Sequence, residues 1–382
     1  MPTRQKILIS LVCFVSVLFL VSASVFAATS GKLVFAATVI RHGDREPYYQ
    51  LKKVDPQVVW DWGIGNLTPT GMSQEVVTGT FLNKRFINTD QLISTTYKPH
   101  EVYIYSGECD RVLQSVNSLF MGLYPPGSGP FGPKGNYALP NGIQIPAIYT
   151  MPRNEDKIIN NNVVDSTEAN NLFKAYSYNL PEWIALTDQY SGEFAYLSAT
   201  FGQTITSIAD LIPIGDNLNV RTINKKIIPT LPSGITAQDL ANLSKEGEML
   251  QYQPKQVGVF LAGDLLKKIA GMMKNAASGK EQSKYAIFSA HDSNLLALMS
   301  AIKDPCIFTA ATKTAPADLS QYPSYAGFIN LELYDNDGTY TVHINYYANE
   351  DQYPNYNIKT CKLVKSDSFT LTKFSSMFDK KV

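Results

Sequence analysis

The chain has little charge and no excess of either sign. Of its 382 residues, 33 are Lys or Arg and 33 are Asp or Glu, so the formal net charge at pH 7 is zero. A neutral chain creates no strong global field, so nucleic acid is not an expected partner. Charged residues make up 17% and apolar residues 45%, which permits a packed core and excludes global disorder. Any anion-binding site must therefore be a local concentration of charge.

Cysteine and histidine are also scarce, with four residues of each type. The chain contains no Cys-x-x-Cys pair and no His and Cys cluster with zinc spacing, so no structural metal site is expected. The histidines are His42, His100, His291 and His343. A lone histidine is weak evidence of function, and taken singly each is better interpreted as a structural residue that caps a helix or completes a turn.

Long apolar runs are absent except at the N-terminus. Residues 1–27 are predicted to be a signal peptide, with Arg4 and Lys6 in a positive start, an uncharged apolar segment over 7–19, and Ala27 before the cleavage point. An uncleaved membrane anchor is the alternative, because residues 7–28 are just long enough to span a bilayer. We therefore expect an exported protein, secreted or periplasmic, with no stable membrane association after cleavage.

The remaining patterns predict strands and helices. Apolar runs of strand length cover residues 33–40, 102–105 and 285–290. Helical spacing of apolar residues predicts helices over 71–86, 109–124, 255–275 and 294–302. Two alternating segments around an Asp-Asn-Asp-Gly turn predict a β-hairpin over 328–334 and 339–347.

This order of elements predicts an α/β fold with a mostly parallel central sheet flanked by helices. Residues 28–130 and 251–382 are expected to form the α/β sheet domain. Residues 131–250 are expected to form a smaller, mostly helical cap domain inserted into it, although its start, to about residue 160, is rich in Gly, Pro and Asn and is predicted to be loop.

Export permits disulfide bonds, and three cysteines remain beyond the predicted signal peptide. We predict a bond between Cys306 and Cys361, which both lie at the periphery of the predicted sheet domain. Cys109 is predicted to stay unpaired, because it lies at the start of the helix predicted over 109–124, two residues from the candidate phosphate ligand Arg111 described below, and a bridge there would restrain that helix. Spacing alone does not determine connectivity, so the other pairings stay open.

Residues 41–47, Arg-His-Gly-Asp-Arg-Glu-Pro, directly follow the first predicted strand. Polar residues at the C-terminal end of a buried parallel strand are where open α/β sheets place their ligands. The guanidinium groups of Arg41 and Arg45 match phosphate oxygens and stay charged at working pH. A neutral imidazole at His42 can then attack phosphorus, and Gly43 lets the backbone pass close to a ligand because it has no Cβ.

The third predicted strand ends in the same way, in His291 and Asp292. His291 can donate to a phosphate oxygen, and Asp292 can protonate a leaving alcohol and then deprotonate water, because an alkoxide leaves badly without a proton. Arg111, near the start of the helix after the second strand, can supply a third guanidinium. The matching strand ends favour a functional interpretation of this set, whereas His100 and His343 are predicted to be structural or surface residues.

These motifs together resemble the histidine acid phosphatases, from about residue 33 to about residue 362. Residues 41–47 fit the Arg-His-Gly-x-Arg-x-Pro signature of that family, and residues 291–292 its second motif. Residues 65–74 resemble its Leu-Thr-x-x-Gly-x-x-Gln segment, and residues 110–126 the block that carries its third phosphate arginine. The match over residues 130–250 is loose.

The resemblance implies a role for each motif residue. His42 is then the nucleophile that forms a phosphohistidine, and Asp292 is the acid and later the base. The implied phosphate ligands are Arg41, Arg45, Arg111 and His291. No cofactor and no metal are implied, the substrates are small phosphomonoesters, and inorganic phosphate is a product; a homodimer is left open. An acidic pH optimum is expected because Asp292 must carry a proton.

The sequence favours an acid phosphatase with a broad substrate range over three alternatives. Phosphoglycerate-mutase-like enzymes share the Arg-His-Gly start, but they are usually cytosolic and lack the rest of the signature. A catalytically inactive phosphate-binding or surface-interaction protein would be favoured by loss of His42 or Asp292, and both are present. A phytase or other inositol-phosphate hydrolase is disfavoured by Asp44 and by Tyr48 and Tyr49, because a polyanion needs extra positive charge.

Overall fold

A computed structural model describes residues 31–281, 283–302, 319, 322–348 and 368–378. The predicted signal peptide lies outside the described residues, as do Cys306 and Cys361. Signal cleavage and the disulfide bond therefore stay predictions. Within the described ranges, no helix combines the length and the apolar character needed to cross a bilayer.

Seven strands form one sheet in the order β3-β2-β4-β1-β5-β6-β7. Their bounds are β1 Lys32–Arg41, β2 Val102–Ser106, β3 Ile148–Tyr149, β4 Tyr285–Ala290, β5 Phe328–Asn336, β6 Thr339–Tyr347 and β7 Ser368–Thr370. The predicted α/β class is confirmed, but the sheet is parallel only from β3 to β1. The other half is antiparallel, because the predicted C-terminal hairpin pairs with the free edge of β1.

Eleven α-helices connect and cover these strands in the described ranges. They are α1 Pro69–Leu82, α2 Asp110–Leu123, α3 Asn161–Val164, α4 Ser166–Leu172, α5 Pro181–Ser191, α6 Phe194–Phe201, α7 Ile208–Ile223, α8 Ala237–Tyr252, α9 Lys255–Ala277, α10 Asp292–Ile302 and α11 Leu371–Ser376. A π-helical segment, Asn83–Thr89, extends α1. The predicted helices over 71–86, 109–124, 255–275 and 294–302 are all present, with ends that differ by a few residues.

Helices cover the sheet on both faces, as the alternation of side chains along β1 requires. Phe35 and Val39 belong to a hydrophobic cluster with residues of α9 and α10, whereas Ala36 and Ile40 belong to a cluster with residues of α1 and α2. Strands buried on both faces explain the continuous apolar runs from which β1 and β4 were predicted.

A third hydrophobic cluster lies within helices α5 to α8 and includes Leu51, which follows the first motif. Polar contacts join the same two regions. Arg221 on α7 forms a buried ion pair with Asp55, and Asn217 on α7 donates to the carbonyl oxygen of Tyr49 at 3.0 Å. The helical segment is therefore fixed against the chain just beyond residues 41–47.

The register of the parallel strands places their C-terminal ends at one edge. Arg41 of β1 pairs with Ala290 of β4, and Ser106 of β2 pairs with Ser289 of β4. The residues that follow each strand consequently emerge side by side, as the rule for open α/β sheets predicts.

Candidate active site

His42 lies at the end of β1, is buried, and has a defined tautomer. Its Nδ1 lies 2.8 Å from the carbonyl oxygen of Gly43. A carbonyl oxygen only accepts, so Nδ1 carries the hydrogen and Nε2 keeps a free lone pair. Burial, and then the positive charges of Arg111 and other neighbours, hold the pKa of His42 well below its ordinary value. The ring is therefore a neutral imidazole, the form that can act as a nucleophile.

His291 lies against His42, as predicted from the matching strand ends. The two ring centroids are 5.4 Å apart and the rings meet edge to face at 76°. Burial, with the nearby charge of Arg111, lowers the pKa of His291 to about 3. Its backbone N–H donates to the side-chain oxygen of Asn294 at 3.0 Å, which fixes the start of α10. His291 can offer one N–H donor without adding a positive charge.

Arg41 is buried and engages the carboxylate of Asp292. Its Nη2 lies 2.6 Å from Oδ2 of Asp292, and its Nη1 donates to the carbonyl oxygen of Pro323 at 2.5 Å. The guanidinium lies over the ring of Tyr325, 4.5 Å from the centroid. Burial alone would lower the pKa of Arg41, but the charge of Asp292 outweighs it and the net shift is upward. Arg41 therefore stays charged.

Arg45 is also buried, and its partner was not predicted from the sequence. Nη1 and Nη2 of Arg45 donate to the two carboxylate oxygens of Asp216 at 3.0 and 2.9 Å. Asp216 lies on α7, far along the chain from residues 41–47 and outside any recognisable motif. This bidentate pair brings a carboxylate from the helical segment to the edge of the site.

Arg111 lies on the first turn of α2 and points back towards the site. Its Nη1 donates to Sγ of Cys109 at 2.9 Å and to the carbonyl oxygen of Gly65 at 3.3 Å. In the part of the chain that the structure describes, Arg111 forms no ion pair with a carboxylate. Burial and the like charge of Arg45 lower its pKa, the direction expected for a cation that an anion would relieve.

The three arginines surround one imidazole and retain donors. Arg41, Arg45 and Arg111 all lower the pKa of His42 by their charge. The Nε–H of each is buried without a hydrogen-bond partner among the described residues. Buried donors without partners are costly, and a bound anion would satisfy them. The predicted phosphate ligands are thus brought together around His42.

Asp292 begins α10 at the same edge. Besides Arg41, its Oδ2 accepts from the hydroxyl of Tyr322 at 2.9 Å, and its Oδ1 accepts from the backbone N–H of Ser293 at 2.8 Å. Burial alone would raise the pKa of Asp292, but Arg41, Arg45 and other positive neighbours outweigh it and hold the pKa below its ordinary value. Asp292 is therefore ionised as the site stands.

The segment around residues 65–74 supports the first motif. Asp44 accepts from the hydroxyl of Thr68 at 2.6 Å, and the backbone N–H of Asp44 donates to the side chain of Gln74 at 2.9 Å. A Cβ at Gly43 would lie 2.3 Å from the carbonyl oxygen of Gly71. The close approach that Gly43 permits is therefore to the start of α1. The sequence analysis had instead predicted that the backbone at Gly43 passes close to a ligand.

The other two histidines lie apart from this group. His100 is exposed in the turn before β2. His343 is part of β6, with its ring centroid 4.7 Å from that of Tyr334. Their placement agrees with the predicted structural or surface role. Among the residues that the structure describes, no group of three or more His, Cys, Asp or Glu is arranged to hold a metal ion.

Residues 32–347 match the sequence model of the histidine phosphatase superfamily, branch 2. The chain belongs to that superfamily. The match confirms the resemblance drawn from residues 41–47 and 291–292, and it covers every residue of the candidate site.

Curated relatives of this histidine phosphatase are named acid phosphatases. The lysosomal acid phosphatase of Xenopus laevis is 30% identical over 346 residues, which is 87% of this chain and 73% of that protein. The prostatic acid phosphatase of Bos taurus is 27% identical over 342 residues, 84% of this chain and 79% of that protein. The predicted class of enzyme, a phosphoric monoester hydrolase, is confirmed by these relatives and the family.

Several solved structures with the same fold are phytases. The phytase from Citrobacter braakii superposes with a TM-score of 0.61 at 16% identity, over 91% of this chain and 97% of that chain. The Hafnia alvei phytase in complex with myo-inositol hexakis sulphate superposes with a TM-score of 0.62 at 15% identity, over 92% and 97%. At such identities the likeness shows the fold alone.

Proposed function

We propose that this histidine phosphatase is an exported acid phosphatase that hydrolyses a broad range of phosphate monoesters through a phosphohistidine intermediate. One observation carries the proposal. His42 is a neutral imidazole with Nδ1 bound, Nε2 free, and three arginines around it. That combination suits a nucleophile that attacks a phosphorus already neutralised by guanidinium groups.

In the first step, Arg41, Arg45, Arg111 and His291 bind the phosphoryl oxygens. Nε2 of His42 attacks phosphorus and the bond from phosphorus to the ester oxygen breaks. Asp292, which takes up a proton when the substrate dianion binds, gives that proton to the ester oxygen. An alcohol leaves and phosphohistidine remains. The three guanidinium groups stabilise the charge on the transferred group, a role that positioned cations commonly have in phosphoryl transfer.

In the second step, a water molecule attacks the phosphohistidine and Asp292 accepts its proton. The bond from phosphorus to Nε2 breaks, inorganic phosphate leaves, and His42 is again neutral. The hydrogen bond from Nδ1 to the carbonyl oxygen of Gly43, at 2.8 Å, keeps the same nitrogen free for the next cycle. No cofactor takes part in either step as proposed.

A phosphate monoester fits the charges of the site better than a polyanion does. Two of the three arginines are already paired with carboxylates, Arg41 with Asp292 and Arg45 with Asp216. Further phosphate groups on one substrate would meet these carboxylates, which disfavours a phytase. The names of the curated relatives support an acid phosphatase as well.

The proposal also covers the domain organisation, the export and the partners of the chain. Residues 28–130 and 251–382 are proposed to form the sheet domain and residues 131–250 an inserted cap that closes over the site. The pairing of Asp216 with Arg45 supports a cap that reaches the site. Cleavage after residue 27 would release the enzyme to the periplasm or the medium. Small phosphomonoesters are the proposed partners, neither nucleic acid nor a stable membrane association is proposed, and a homodimer is left open.

Replacement of the nucleophile tests the proposal. His42→Ala is expected to abolish turnover while the protein still folds, whereas His100→Ala, at an exposed turn, should keep the wild-type rate. Acid-labile phosphate should be trapped on His42 of the wild-type enzyme. Substantial turnover by His42→Ala would refute the mechanism, and a folded wild-type protein that binds phosphate without turnover would favour the inactive phosphate-binding alternative.

A further inference from the structure

The hydroxyl group of Tyr322 lies between two carboxyl groups. It is 2.9 Å from Oδ2 of Asp292, and it also forms a short hydrogen bond with Oε2 of Glu248. Glu248 lies on α8, and Tyr322 lies in the segment before β5. Neither residue belongs to a motif that the sequence analysis singled out.

Counting hydrogens shows that this arrangement holds an additional proton. A tyrosine hydroxyl has one hydrogen, so it can donate to only one of the two carboxyl groups. Two ionised carboxylates can only accept, and the second contact would then have no hydrogen. One of Glu248 and Asp292 must therefore be protonated when both contacts with Tyr322 are made.

The surrounding charges place that proton on Glu248. Asp292 has Arg41 at 2.6 Å and is held ionised. Burial, and then the negative charge of Asp292, raise the pKa of Glu248 above its ordinary value. Protonated Glu248 then donates to Tyr322, and Tyr322 donates to Asp292.

Besides burial and Asp292, other described groups act on the pKa of Glu248. Tyr322 lowers its pKa by hydrogen bonding and Arg41 by charge, whereas Asp216 on α7 raises it. Tyr252, one turn further along α8, is a neutral phenol whose pKa is itself raised, by burial and then by the charges of Glu248 and Asp292. The balance around Glu248 is set chiefly by burial and by Asp292.

We propose that Glu248 stores the proton that Asp292 needs as a general acid and delivers it through the hydroxyl of Tyr322. This inference rests on the proposed function, because it assigns the source of the proton in the first step. A substrate dianion that binds Arg41 adds negative charge beside Asp292. The hydroxyl proton of Tyr322 then moves to Asp292, and the proton of Glu248 moves to the oxygen of Tyr322.

The protons balance over one turnover. After the transfer, Glu248 is a carboxylate, Tyr322 is still a neutral phenol, and Asp292 is an acid that protonates the leaving oxygen. In the second step Asp292 takes a proton from the attacking water. Once phosphate leaves, Arg41 again favours ionised Asp292, and the proton returns through Tyr322 to Glu248. Glu248 does not contact the substrate. It is a positioning residue that acts through Tyr322 and supplies the proton to Asp292.

Two variants test this relay, Glu248→Gln and Tyr322→Phe. Each should lower the rate with an alkyl phosphate by about 10- to 100-fold, within the usual range of general acid catalysis. Formation of phosphohistidine from nitrophenyl phosphate should change by less than about threefold, because that leaving group needs little protonation. The double variant should be no slower than the slower single variant, since both act in one chain.

The pH profile separates a proton relay from a structural role. In the wild type, kcat with the alkyl phosphate should fall as pH rises through the raised pKa of Glu248. In Glu248→Gln the fall should begin at least about one pH unit lower, because Asp292 must then take its proton from solvent. Glu246→Gln is the matched control on the same helix, where burial alone raises the carboxyl pKa; it should change neither rate nor profile.

The outcomes are distinct. Equal losses on both substrates, or an unshifted pH profile in Glu248→Gln, would overturn the relay while phosphohistidine trapping in the wild type still supports the proposed function. Failure to trap phosphohistidine in the wild type would remove the proposed function and the relay with it. Additive losses in the double variant would show two independent roles and would also overturn the relay.

Discussion

Asp292→Asn separates proton transfer from phosphate binding. Asparagine keeps the shape of the side chain but has neither the charge nor the transferable proton. The partners that hold it, Arg41 at 2.6 Å and the hydroxyl of Tyr322 at 2.9 Å, remain in place. With an alkyl phosphate, kcat is expected to fall by about 10²- to 10⁴-fold, which is the usual contribution of general acid catalysis.

Phosphate affinity should move in the opposite direction. Two unit charges about 6 Å apart repel by about 3 kcal/mol at an effective dielectric constant of about 20. The Asp292 side chain is 15% exposed, so solvent weakens this repulsion. We therefore expect inorganic phosphate to bind Asp292→Asn about tenfold more tightly, which corresponds to about 1.4 kcal/mol.

The assay compares leaving groups. Rates for an alkyl phosphate and for nitrophenyl phosphate are measured on wild type and variant, together with the inhibition constant of phosphate. The alkyl substrate should lose far more than nitrophenyl phosphate. Equal losses would mean that Asp292 is not the leaving-group acid, or that it acts chiefly in the second step, and Glu108 or Asp44 would become the next candidate. Weaker phosphate binding would refute the charge argument.

Other expectations concern metals, stability and cysteines. EDTA should leave activity unchanged, because arginines already neutralise the phosphate; a loss that a divalent metal restores would contradict this. Asp55→Ala leaves the buried Arg221 without its partner, so the free energy of unfolding in urea should fall by about 3–5 kcal/mol, and a fall below about 1 kcal/mol would argue against the pair. Non-reducing peptide mapping should join Cys306 to Cys361, and a link to Cys109 would overturn that prediction.

The sequence predicted the parts of the site that follow buried strands. His42 and His291 were found because a continuous apolar run stops abruptly at a polar motif, and parallel pairing of β1 with β4 then brings them together. The position of the C-terminal hairpin was not predicted, because alternation identifies a hairpin but not the strand edge that it joins.

The side chains that contact the site arginines and Asp292 from other segments could not be predicted in this way. Asp216 and Glu248 lie on amphipathic helices, where a carboxylate is ordinarily a solvated residue. Tyr322 and Tyr325 lie before β5 in a part of the chain with many tyrosines. Their roles depend on tertiary contacts between segments far apart in sequence. The spacing of residues within one segment does not predict such contacts. One partial signal was that three clustered arginines require compensating charge when no phosphate is bound.

That compensation has a consequence for substrate choice. Asp292 pairs with Arg41 and Asp216 pairs with Arg45, so only Arg111 lacks a carboxylate partner among the described residues. A phosphate dianion must therefore compete with two carboxylates for the guanidinium groups. A second phosphate on the same substrate would meet those carboxylates, with Lys245, which lines a cavity together with Arg41 and Asp216, as a further cation. The arrangement favours one dianionic group on an otherwise uncharged alcohol. The three guanidinium groups thus exceed the two carboxylates by one positive charge, that of Arg111, and this charge is available to the substrate dianion.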